Sequence, residues 1–263
     1  MKRYYVLIAV ILALIGAYTA YWFYALDLAK KGFADAVAAE RARGNTLTYA
    51  SEEWGGFPIR IGVDLTGVTW KAGALSFEAG KMRLEAMPWR PSHVLVRAEG
   101  AARLAWNDDE TRESAVFRPG LLIASIRYSL AGTFEGADLE LRNAGVSGTH
   151  EDGAPYAFQA ARMQADTRFV AGSARGRETF DVAFSADKID LPPEPAPRLG
   201  TRIASVRFSA RLSELPPFST GWRAPNRDTL VNYLGESGTT AEIARLDFDW
   251  GQVSAKGAGK LTL

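Results

Sequence analysis

With 263 residues, 31 basic against 30 acidic side chains and a net charge of +1, the chain has no electrostatic footprint for nucleic acid and no acidic tail. Its 47% apolar content, 25 glycines and 7 tryptophans describe a folded chain with many turns and exclude a disordered one. The absence of cysteine rules out disulfide staples and a lipoprotein-type attachment residue, and is compatible with an oxidising compartment.

Tyr4–Leu26 carries no charged side chain, with Lys2 and Arg3 before it and Asp27, Lys30 and Lys31 after it. At 1.5 Å per residue such a helix reaches about 34 Å, enough for a hydrocarbon core of about 30 Å. A cleaved signal peptide has a shorter apolar region closed by small residues. This run ends instead on Tyr21, Trp22, Phe23 and Tyr24, which suit an interfacial aromatic belt. Residues 1–26 therefore read as a cytoplasmic tip and an uncleaved transmembrane signal anchor, with the bulk of the chain outside the cytoplasm. In a double-membraned bacterium that is a single-pass inner-membrane protein with a periplasmic body.

The good helix formers of Asp27–Arg43, with Phe33 and Val37 four residues apart, extend the anchor as a juxtamembrane helix over 27–45, stopped by the C-cap signal Gly44-Asn45. The expected role is a spacer and lid on the first strands, or else a lipid-surface contact through Lys30, Lys31 and Phe33. From residue 46 the period changes to two. Ile59, Ile61, Val63 and Leu65 alternate with polar residues or glycine, as do Met82, Leu84 and Ala86; Leu139 and Leu141; Val206, Phe208 and Ala210; and Leu246, Phe248 and Trp250, and the same period returns at Phe180, Val182 and Phe184. These are half-buried antiparallel strands, roughly ten to fourteen in number, separated by turns such as Asn107–Glu110 and Phe134-Glu135-Gly136.

Proline-rich breaks at Leu191–Pro197 and Leu215–Phe218 mark sheet crossings, with a possible subdomain boundary at 191–199, and Asn226–Leu234 reads as one short helix. Trp70–Leu84 and Trp250–Leu263 echo one another as similar hairpins, and the second stops in mid-strand, which suggests that the natural chain continues beyond Leu263. The fold class is thus all-β with an N-terminal transmembrane helix: a large curved antiparallel sheet over 46–263, as an open groove or half-barrel or as a sandwich. Two helices beyond the anchor are too few to cover so much one-sided sheet. Its apolar faces must meet each other, or line a groove filled by lipid or a partner.

Little chemistry is legible. His93 and His150 are the only histidines and no paired ligand spacing exists, so no metal and no cofactor is expected. Gly145-Val146-Ser147-Gly148 lacks the last glycine of a nucleophile elbow, and Gly80-Lys81 and Gly259-Lys260 lack the following Ser or Thr of a phosphate loop. Asp108-Asp109-Glu110 and Glu151-Asp152 fit solvated hairpin tips. No catalytic set is predicted, and the chain does not read as an enzyme.

The motif with some specificity is Trp54-Gly55-Gly56-Phe57-Pro58, between the juxtamembrane helix and the first clear strand. Its glycines permit a reversal or bulge, and Trp54 and Phe57 can staple helix to sheet, or alternatively face lipid or a partner. With the anchor before it and Trp250-Gly251 in a late strand, this motif resembles domain-of-unknown-function family 2125, a family of anchored envelope proteins. More distantly, the alternation and the Leu191–Gly200 break look like AsmA-type envelope proteins. That resemblance implies β-rich grooves associated with lipid handling and carries no catalytic residue. The functional expectation is a non-catalytic envelope protein whose sheet binds lipid or another hydrophobic ligand, with an envelope scaffold acting through partner proteins as the alternative.

Overall fold

A single helix, α1 (Lys2–Ala42), opens the chain, and the juxtamembrane piece continues the apolar run without a break. The structure is a computed structural model that describes residues 2–107, 112–129, 133–149, 154–170, 178–192, 199–215 and 238–262. The helix ends in a Schellman cap: Asn45 N–H donates to the Glu40 carbonyl (3.0 Å) and Gly44 N–H to that of Arg41 (2.9 Å). Gly44 supplies the left-handed residue (φ 82°) that this closure requires.

The strands follow as β1 (Thr46–Thr48), β2 (Ser51–Gly55), β3 (Ile61–Ala72), β4 (Leu75–Met87), β5 (Arg90–Asn107), β6 (Arg112–Arg118), β7 (Leu121–Tyr128), β8 (Phe134–Thr149), β9 (Pro155–Val170), β10 (Glu178–Asp190), β11 (Arg202–Leu215), β12 (Thr240–Trp250) and β13 (Val253–Thr262). All thirteen join one antiparallel sheet in the order β1-β3-β4-β5-β6-β8-β9-β10-β11-β12-β13, with β2 on β3 and β7 bridging β5 and β8. The sheet is curved and open, not a closed barrel, and the two separate sheets of a sandwich do not form. Its free edge, β13, is exposed along its length and carries Lys256, Gly257, Gly259 and Lys260, a composition that discourages edge-to-edge pairing.

One element lies elsewhere than the sequence suggests. Phe134-Glu135-Gly136, expected as a turn, begins β8. The chain reverses earlier, where Ser129 N–H bonds the Thr133 carbonyl at 2.8 Å, and Gly136 is buried where a Cβ would stand 2.5 Å from the Thr167 carbonyl. The echoing hairpins share one device: Gly73 (φ 58°) and Gly251 (φ 60°) each open a two-residue turn of the II′ kind. The expected helix 226–234, the tip 108–110, His150 with Glu151-Asp152, and Pro193–Pro197 and Pro216–Phe218 all lie outside the described residues.

A crease crosses the sheet in register. It passes Gly67 and Gly80, between the pairs Thr66–Lys81 and Val68–Ala79, then Gly100 and Gly120. From there it reaches Asn143 and Ala161, between Arg142–Arg162 and Ala144–Ala160, and ends at Lys188 and Ala204, between Asp187–Ser205 and Ile189–Ile203. Gly67, Gly100, Asn143 and Lys188 have positive φ there. At this line the inward alternation slips by one residue: Ile61, Val63 and Leu65 give way to Val68 and Ala72, and Leu141 to Ala144 and Val146, all buried. The slip keeps the apolar side chains on the same face while the strands bend.

The core sits where α1 meets the first strands. Val63, Leu65 and Val68 are packed beneath Phe33, Leu47, Tyr49, Trp54, Met82 and Leu84. α1 makes its main contacts with β1 and β3, and its C-terminal end comes near Tyr128 of β7, which feels the charges of Glu40 and Arg43.

Candidate functional site: an aromatic clasp and an uncovered apolar face

The middle of α1 is held by two turns of the sheet. Tyr18 donates its hydroxyl hydrogen to the Pro58 carbonyl (2.6 Å), Tyr21 to that of Pro88 (2.9 Å), and Trp22 its indole N–H to that of Arg60 (3.0 Å). Trp22 is 3% exposed and stands edge-on to Phe57, ring centres 5.3 Å apart. Of the four aromatics read from sequence as an interfacial belt, Tyr21 and Trp22 grip the body, whereas Phe23 and Tyr24 are exposed. An ion-paired cluster braces the same turn: Glu85, buried, accepts from Arg60 (3.1 Å) and lies 3.2 Å from Arg97.

Each residue of the Trp54–Pro58 motif has a distinct place. Trp54, in β2, packs edge-on to Phe33 at 5.8 Å, and Phe33 also meets Tyr49, so Phe33 faces the core rather than a lipid surface. Gly55 ends β2 opposite Gly62 with open space about it. Gly56 takes φ +111°, and a Cβ there would lie 2.6 Å from the Arg60 carbonyl, whose own N–H returns to the Gly56 carbonyl at 2.9 Å. Phe57 precedes a cis peptide to Pro58 and keeps half its surface exposed beside Trp22. The second turn, Met87-Pro88-Trp89, was not singled out from sequence; its signal is a proline next to an aromatic, as at Phe57-Pro58.

Beyond the reach of α1 the apolar face continues as cross-strand rows. One runs Val96–Ala124–Leu139–Ala165–Phe184–Phe208–Leu246, the next Ala98–Leu122–Leu141–Met163–Ala186–Val206–Phe248. Leu139 and Leu246 are exposed and Phe184 and Phe208 half-buried, while Val96, Ala98, Leu141 and Ala186 in the same rows, and Ala160 at the crease, are buried.

The opposite face is a ladder of ion pairs. Arg83 grips Asp64 with two bonds (2.7 and 2.6 Å) and Arg211 grips Asp181 with two (2.7 and 2.9 Å), each pair holding its carboxyl below the usual range. An open recess of about 520 Å³ on this face is lined by Arg127, Asp138, Asp166 and Arg168. Burial, and then the hydrogen bond and charge of Asp138, push Asp166 up. Burial also opposes ionisation of Asp138, but bonds from Arg127 and Ser125 outweigh it and hold that carboxyl down. The two carboxyls thus stand together beside two guanidiniums, Arg127 and Arg168, in an open recess.

The other sequence candidates are dispersed. His93 lies in β5 opposite Arg127, Ser147 accepts from Arg118 (3.1 Å), and Lys81 pairs with Glu99 at 3.1 Å on a strand. Lys260 stands opposite Glu242 on the edge strand.

No curated protein and no solved structure matches the chain. The model of one family, described as an uncharacterized protein conserved in bacteria (DUF2125), matches residues 22–263. That span takes in the clasp from Trp22 onward and the whole sheet, and the chain belongs to the DUF2125 family.

Proposed function

We propose that the protein is a membrane-anchored envelope protein that binds the acyl chains of lipid on the apolar face of its sheet, without catalysis. The carrying observation is that this face extends in unbroken rows from Val96 to Leu246, whereas α1 packs against β1 and β3. Water against so wide an apolar surface is costly, and acyl chains are an occupant whose shape adapts to a curved trough. α1 is long and apolar enough to cross a membrane. Lys2 and Arg3 then favour a cytoplasmic amino end, and a body on the periplasmic side of an inner membrane.

The test is to extract the full chain in mild detergent and quantify phospholipid by mass spectrometry beside Phe208→Asp, which puts a charge in the middle of the trough but leaves α1 and its surrounding lipid unchanged. The reading expects excess phospholipid with the wild type that the folded variant lacks. Equal lipid in both would sink it. That result would favour the scaffold reading, which the closely packed Ala144, Ala160 and Ala186 at the crease support.

A further inference from the structure

We propose that the β2–β3 and β4–β5 turns enter the bilayer together with α1, so that the tips of the sheet form a lipid-embedded collar around the anchor. This rests on the reading that α1 spans a membrane. From Tyr4 to Ala17 the helix reaches about 21 Å, while a hydrocarbon core of about 30 Å takes about 20 residues. Tyr4 directly follows Lys2 and Arg3, two charged residues that bound the apolar run at that end. The missing length must come from Tyr18 to Phe23, the segment hydrogen-bonded to Pro58, Arg60 and Pro88. The helix cannot be immersed to its required depth without drawing those turns in with it.

The turns are built for that medium. Their outward side chains are Phe57 (53% exposed), Ile59 (58%), Met87 (45%) and Trp89 (59%), and on the helix Phe23, which like Phe57 packs edge-on to Trp22, is exposed as well. Irregular backbone tolerates lipid only when its polar groups have partners. Here Pro58 and Pro88 have no N–H to satisfy, their carbonyls accept from Tyr18 and Tyr21, and the Arg60 carbonyl and N–H bond Trp22 and Gly56. Arg90, exposed beside Trp89, lies at the rim, where a phosphate headgroup is the natural counter-charge. The collar sets how deep the sheet sits and brings its apolar face to the membrane surface.

Because the chain has no cysteine, single labels are clean. Full-length Leu12→Cys, Ile59→Cys, Met87→Cys and Ser254→Cys, each carrying an environment-sensitive fluorophore, would be reconstituted in phospholipid vesicles and quenched with shallow and deep spin-labelled lipids. The proposal expects loss of emission at 12 with both quenchers, at 59 and 87 chiefly with the shallow one, and none at 254. Emission at 59 and 87 as protected as at 254, with 12 still quenched, would overturn the collar alone. Protection at 12 as well would overturn the membrane-spanning reading, and the collar with it.

Discussion

Gly56 is the residue whose backbone the clasp cannot replace. At φ +111° an L side chain is strained, and its Cβ would press to 2.6 Å of the Arg60 carbonyl that receives Trp22. Gly56→Ala is expected to cost about 1–3 kcal/mol, read as a lower midpoint of thermal unfolding in detergent. Asp166 carries the opposite sign. Its folded pKa is raised, so the folded chain holds its proton better than the unfolded chain does. That stabilisation is complete below the ordinary carboxylate pKa and lost as pH rises through the folded value. Asp166→Asn should therefore be more stable than the wild type at pH 7, with the difference closing in acid. Because the side chain is exposed, the gain is at most about 1 kcal/mol.

Among elements, the end of α1 and the crease are the informative ones. The Glu40 carboxylate accepts from Asn45 (2.8 Å), Trp70 (3.2 Å) and Arg43 (2.8 Å), tying the helix cap to β3. Burial works against its charge, and these bonds outweigh burial and hold its pKa below the usual range. Its contribution is therefore present at neutral pH and disappears as pH falls through that lowered value. Glu40→Ala should lose about 2 kcal/mol, and a pH titration of stability should show a shallower acid limb, the rest coming from carboxylates such as Asp64 and Asp181. In the crease Lys188 holds φ 51°, a conformation that costs a side chain about 1 kcal/mol and glycine almost nothing. Lys188→Gly should leave stability unchanged or raise it by up to that amount, while Lys188→Val should lower it, measured by chemical denaturation.

For the molecule as a whole, the helix that is long and apolar enough to cross a membrane is also part of the core. Removing residues 1–42 uncovers Val63, Leu65 and Val68, which Phe33 helps to shelter, so residues 43–263 alone should bind a hydrophobic dye and self-associate on gel filtration. A monomeric, dye-silent fragment would show that the sheet packs without α1. The apolar run, the period-two strands and the cap at Gly44-Asn45 were all legible in the sequence, because hydrophobic periodicity and αL glycine are local properties of consecutive residues. The family resemblance at Trp54–Pro58 was legible for the same reason. Three features depended on the tertiary structure: the grip of Tyr18, Tyr21 and Trp22 on two distant turns, the alignment of Gly67, Asn143 and Lys188 into one crease, and the extent of apolar face that α1 leaves uncovered. Each depends on the register between strands far apart in the chain. Alternation along one strand says which residues share a face, and only the pairing of strands decides what that face meets.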